Sequence, residues 1–171
     1  MEFLPGGHVI VNPLRISPSY VYEFEASLVV CFSGQSRASA IIQEQVKAIT
    51  QSDKGALEGM HQLKSDAIQM KQALLRGDIQ EVSEILNRSW EAKQRTSGLV
   101  SSSAIERVFE LARKNGAVAG KISGAGGGGF LMLMTDPEQR YRLITALNEN
   151  GVYASSVQFT EGGAEAWATS R

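Results

Sequence analysis

Along the chain the apolar positions pass from short runs to helical spacing and back to short runs. Residues 9–11 and 20–24 read as strands, set apart by Asn12-Pro13 and Ser17-Pro18 turns, and residues 28–32 form a third, fully apolar run. After Ser33-Gly34 the period becomes helical. Ile41, Ile42, Val46 and Ile49 mark one stripe, while Leu57, Met60, Leu63, Ala67, Met70 and Leu74 recur at three- and four-residue steps before Gly77 supplies a stop. A capping-box pattern of Asp78 with Glu81 starts a helix whose buried face is Ile79, Val82, Leu86 and Trp90. Ser103 with Glu106 does the same for Ile105, Val108 and Ala112, and Asn115-Gly116 ends that helix.

The last third alternates strand, glycine turn, strand, helix and strand. Asp136 is an N-cap with Pro137 at the first helical position, Tyr141, Ile144 and Leu147 supply the apolar face, and Asn150-Gly151 closes the helix before a strand over 152–159. Helices followed by a strand pair, a helix and a strand predict an α+β layer, an antiparallel sheet with helices packed on one face.

The chemical signal is concentrated in residues 121–130, Lys-Ile-Ser-Gly-Ala-Gly-Gly-Gly-Gly-Phe. Glycine costs a folded chain entropy, so five of them in the six positions 124–129 point to a backbone that needs positive φ or close approach by another group. The segment fits G-x-G-x-x-G, but a dinucleotide site needs a helix opening at the last glycine. Here Phe-Leu-Met-Leu-Met runs into Thr135-Asp136-Pro137 after one strand length. A P-loop fails because Ile122 follows Gly120-Lys121 where Ser or Thr holds magnesium, and position 115 is Asn. No H-R-D or D-F-G accompanies the loop, which removes the protein-kinase reading. A tight glycine hairpin with no ligand stays open as the alternative.

Residues 121–130 followed by an apolar strand resemble the third conserved motif of the GHMP kinases, the galactokinase, homoserine, mevalonate and phosphomevalonate kinase superfamily. Phe-Leu-Pro-Gly-Gly at 3–7, Val-Ile-Val-Asn-Pro-Leu-Arg-Ile at 9–16, Phe-Ser-Gly-Gln-Ser-Arg at 32–37 and Glu-Gly-Gly-Ala-Glu-Ala-Trp at 161–167 are similar to the members that phosphorylate a heptose 7-phosphate at the anomeric position. The resemblance implies a ferredoxin-like C-terminal domain over 33–171, with 1–32 as strands from the end of an N-terminal kinase domain and a linker. It implies ATP and magnesium, held mainly by that N-terminal domain through a Pro-x-x-x-Gly-Leu-Gly-Ser-Ser phosphate loop that this sequence lacks. Catalytic and metal-ligating residues are therefore assigned to none of these positions, and the isolated chain is expected to be inactive.

Phosphoryl transfer needs positioning and electrostatic stabilisation more than covalent chemistry, and glycines at 124, 126 and 127 let backbone N–H groups face a phosphate. The candidate nucleotide- or substrate-proximal loop is Ser123, Gly124, Ala125, Gly126, Gly127 and Gly128. Lys121 and Arg37 are candidates for a substrate phosphate, against solvated surface roles. Two classes of function stand: half of an ATP-dependent sugar kinase, with a fucose, mevalonate or homoserine substrate as the nearest competitor, or a binding module that kept the fold without the chemistry.

Composition narrows the field a little further. At 171 residues and 43% hydrophobic content the chain can bury a core, and a formal charge of -1 with scattered basic residues gives no patch for nucleic acid. Cys31 lies in an apolar run and reads as a buried thiol, and His8 and His61 have no metal-ligand spacing. No signal peptide or membrane-length apolar run is read, so the expected compartment is the cytoplasm. An N-terminal kinase domain and a sugar phosphate are the expected partners, and a homodimer is an option.

Overall fold

The computed structural model describes residues 1–34, 38–160, 162–163 and 166. A two-stranded ribbon, β1 (Glu2–Phe3) with β2 (Val9–Ile10), leads into α1 (Pro18–Ser27) and β3 (Leu28–Phe32). Four helices follow: α2 (Ala38–Thr50), α3 (Lys54–Arg76), α4 (Ile79–Gln94) and α5 (Ser103–Lys114). The chain then completes its sheet through β4 (Ala117–Ile122), β5 (Phe130–Thr135), α6 (Arg140–Glu149) and β6 (Ala154–Ser156). The sheet is antiparallel, ordered β4-β5-β3-β6. With helices between β3 and β4 and between β5 and β6, this is the ferredoxin-like α+β arrangement. β1 and β2 pair only with each other among the described residues, and β3 stands inside the main sheet.

Register decides which side chains share a face. Val29 lies opposite Leu133 and Cys31 opposite Leu131, with Ile122 beyond Leu131. These join Ile105, Phe109 and Ala112 of α5 and Leu143 and Leu147 of α6 in one buried cluster. Each such large side chain, removed from water, contributes roughly 1.5–3 kcal/mol. The opposite face is apolar as well: Leu28, Met134 and Ala119 meet Val82, Ile85 and Leu86 of α4 and Ala73 of α3. Helix α4 lies along β4 and reaches both clusters, because Trp90 packs its ring against Phe109, tilted at 36° and 5.3 Å between ring centres.

That position also closes the margin of the sheet. The Asn87 side chain donates to the carbonyl of Val118 at 2.9 Å and accepts from the N–H of Gly120 at 3.3 Å, so one amide takes the place of a neighbouring strand. Helix α3 approaches α4 closely at Gly59, where an added Cβ would lie 2.6 Å from the carbonyl oxygen of Ala92.

Several expected elements differ. Residues 20–24 are helical, not extended: Pro18 occupies the first turn, and Tyr20 and Phe24, one turn apart, stack at 6.3 Å with Tyr20 buried. The last strand shrinks to β6, which pairs only with β3 among the described residues. The α5 cap is Ser102, whose Oγ accepts from the N–H of Ile105 at 3.4 Å, one residue before the expected Ser103. Of the first helical stripe only Ile41 is buried, and Ile42, Val46 and Ile49 face out. Tyr141 is 82% exposed, and the apolar face of α6 is Leu143 and Leu147.

Candidate functional site

Between β4 and β5 the chain turns through the glycine segment. Gly124, Gly126, Gly127, Gly128 and Gly129 all have positive φ, between 69° and 133°, a region that side chains with a Cβ rarely occupy. Antiparallel pairing is carried up to the turn by the N–H of Ser123, which donates to the carbonyl of Phe130 at 2.8 Å, and the N–H of Ser33 donates to that of Gly129 at 2.9 Å.

The turn folds onto the segment between α4 and α5. The N–H of Gly127 donates to the carbonyl of Val100 at 2.7 Å. A Cβ on Gly126 would stand 3.0 Å from Cγ1 of Val100, and one on Gly127 would overlap Cδ1 of Ile41. The glycines here serve close packing as well as conformation. The segment they pack on is tied to α2: Gln45 donates to Oγ1 of Thr96 at 2.7 Å, and the Ser97 hydroxyl donates to the Glu44 carboxylate.

Of the loop candidates, Ser123 and Gly124 are exposed, Ala125 packs half-buried against the core, and Gly126, Gly127 and Gly128 are buried. The N–H groups of Gly126 and Gly128 have no protein partner among the described residues. Arg37 falls outside the described residues.

Behind the turn stand two lysines, one buried and one half-buried. Lys93 on α4 is 8% exposed, and its Nζ donates to the carbonyl of Gly124. Burial, and after it the like charge of Lys121, pulls the Lys93 ammonium down to about 8. Lys121 alternates with Ile122 toward α4, where its Nζ donates to the Ser89 hydroxyl at 2.8 Å. Burial lowers its pKa, and Asp66 opposes that shift. Asp66 on α3 is 1% exposed. Its Oδ1 accepts from Arg88 Nε at 2.8 Å and from Gln62 at 2.8 Å, while Oδ2 has no partner among the described residues.

The sequence reading included Lys121 but missed Lys93, Ser89 and Asp66. A signal for Lys93 existed, since it continues the Val82, Leu86, Trp90 stripe at a three-residue step and so puts a lysine on a core-facing position of α4.

Other features lie apart from the turn. Cys31 is buried, with its thiol pushed up to about 12 by burial, so it is an unreactive core residue. An open cleft is lined by Glu58, His61, Gln62, Ser65 and Arg95, and a groove runs between the β1–β2 ribbon and α3. Neither includes a glycine-turn residue. Among the described residues no three His, Cys, Asp or Glu side chains gather as a metal site, and no helix is long and apolar enough to cross a membrane.

Residues 70–152 match the family model described as GHMP kinases C terminal. The chain is 42% identical over 167 residues to D-glycero-alpha-D-manno-heptose 7-phosphate kinase of Campylobacter jejuni, covering 98% of this chain and 49% of that protein. It is 30% identical over 145 residues to the bifunctional fucokinase/GDP-fucose pyrophosphorylase of Arabidopsis thaliana, covering 84% of this chain and 14% of that one. The crystal structure of a D-glycero-D-manno-heptose 1-phosphate kinase from Bacteroides thetaiotaomicron superposes with a TM-score of 0.68 at 31% identity, over 99% of this chain and 44% of that one. This chain thus spans about half the length of the heptose-phosphate kinases it matches.

Proposed function

Because the chain belongs to the GHMP kinase C-terminal family, we propose that it is the C-terminal half of an ATP-dependent sugar kinase that phosphorylates a heptose phosphate. The observation that carries this reading is the likeness to the Campylobacter kinase along nearly the whole chain, glycine turn included.

In the proposed reaction a sugar hydroxyl attacks the γ-phosphorus of ATP, the bond to the bridging oxygen of ADP breaks, and the hydroxyl proton leaves to a base or solvent. D-glycero-D-manno-heptose 7-phosphate is the proposed substrate and its 1,7-bisphosphate the product, on the way to nucleotide-activated heptose for surface polysaccharide. The catalytic base, the magnesium ligands and most of the ATP contacts belong to the N-terminal half, within the cytoplasm. This chain contributes the wall of the site. The N–H groups of Gly126 and Gly128, which have no protein partner among the described residues, would face the phosphate region without a Cβ in the way, and Lys93 and Lys121 would add positive charge behind them. The fucokinase relative supports a second substrate, fucose.

The test is ADP release with magnesium, ATP and each of the two sugars, by this chain alone and mixed with a separately expressed N-terminal half. Heptose-dependent turnover only on mixing is the expected result. Turnover by the chain alone would place the catalytic groups within these residues, and turnover with fucose alone would reassign the substrate.

A further inference from the structure

We propose that Lys93 is the positioning residue of the glycine turn, its buried side chain fixing the carbonyl of Gly124 and thereby the direction in which the following N–H groups point. Gly124 sits at the exposed shoulder of the turn, with positive φ and nothing packed where a Cβ would stand. On the far side the turn is held by backbone, through Gly127 and Val100. On the near side a side chain on another element does this work: Lys93 projects from the last turn of α4, where Trp90 and Ala92 are buried beside it.

The cost of burying an ammonium shows that it is not incidental. A lysine with only 8% exposure and no carboxylate in contact among the described residues persists only where its hydrogen bond matters. Around it the charges are arranged in order. Lys121 is occupied by Ser89, Asp66 stands beyond Lys121, and Arg88 holds Asp66. With Lys121 drawn toward Ser89, the Lys93 ammonium is directed to the Gly124 carbonyl, a charge-assisted contact stronger than a neutral one. That the positioned turn faces a phosphate rests on the kinase reading above; the anchoring itself does not.

The experiment is amide hydrogen exchange on the full chain and its Lys93→Met variant, which keeps the volume and removes the donor. Exchange at the Gly127 amide, whose bond to the Val100 carbonyl depends on the shape of the turn, is expected to speed up by about tenfold or more, while the amides of α4 and β4 keep their rates. Unchanged rates in the turn, or an equal acceleration across α4 and β4, would overturn the assignment. Should the variant not fold, the unaltered protein answers by NMR. A scalar coupling across the hydrogen bond between Nζ of Lys93 and the carbonyl carbon of Gly124 supports the proposal, and its absence, with the lysine signal resolved, removes it. Both measurements are made without ATP or sugar, so a failed kinase assay leaves the outcome standing.

Discussion

Gly127 donates its N–H to the carbonyl of Val100 at 2.7 Å, and this bond fastens the glycine turn to the segment joining α4 to α5. The contact requires glycine twice over, since φ is +69° and a Cβ would overlap Cδ1 of Ile41 while lying 3.1 Å from the carbonyl oxygen of Leu99. Gly127→Ala is expected to destabilise the fold by about 2–4 kcal/mol, the sum of a left-handed alanine and an overpacked contact. Gly129→Ala, at φ +90° with open space around it, keeps only the conformational part, about 1–2 kcal/mol. Urea unfolding of both variants measures the difference, and equal losses would show that Ile41 yields freely.

Lys93 makes stability depend on pH with a sign opposite to that of most lysines. Its folded pKa of about 8 lies below the ordinary 10.5, so between those values the unfolded chain binds more protons and stability rises with pH. Below pH 8 the gain is gone, and above 10.5 it is complete. The buried thiol of Cys31 acts in the other direction at high pH, so the effect is read as the difference between the parent and Lys93→Met. That difference is expected to shift by about 2–3 kcal/mol across the window in chemical denaturation, and a flat one would mean the ammonium is well solvated.

Asn87→Ala is expected to cost about 1–2 kcal/mol, because it leaves Val118 without its donor and Gly120 without its acceptor at the sheet margin. Thermal melting reads the loss, and hydrogen exchange should show it at the Gly120 amide.

At Gly59 two effects compete. Alanine is the better helix former by about 1 kcal/mol. Its Cβ, however, would meet the Ala92 carbonyl oxygen at 2.6 Å, backbone that cannot rotate away. Separation of α3 from α4 is expected to win, with Gly59→Ala less stable than the parent by about 1–2 kcal/mol. A rise in melting temperature would reverse that ranking.

The helix stop at Gly77, the Asp78 cap and the strand, glycine turn, strand sequence were legible because each rests on local chemistry: a left-handed C-cap, a carboxylate accepting the Glu81 N–H, and glycines in succession. Residues 20–24 misled because alternating aromatic, aliphatic and acidic residues mimic period two, while the stacking of buried Tyr20 on half-buried Phe24 along one helical face decided the outcome. Tyr141 and the Ile42, Val46, Ile49 stripe misled differently, since periodicity gives a face but not what covers it. In the site, the turn could be read and its supports could not. Lys93 and Asp66 act across elements, and only the packing of α3, α4 and β4 brings the charge of each within reach of Lys121.

Both faces of β5 are apolar, with Leu131 and Leu133 on one and Met132 and Met134 on the other. A slip of one residue among positions 131–134 would therefore put apolar side chains on both faces as before and would meet little resistance from hydrophobic patterning. The count of residues in the glycine turn, clamped at its ends by Ser123 with Phe130 and Ser33 with Gly129, sets the phase of the strand. An insertion of a single residue there would exchange leucines for methionines beneath α5 and α6, so the glycine turn is also the gauge by which the sheet is assembled.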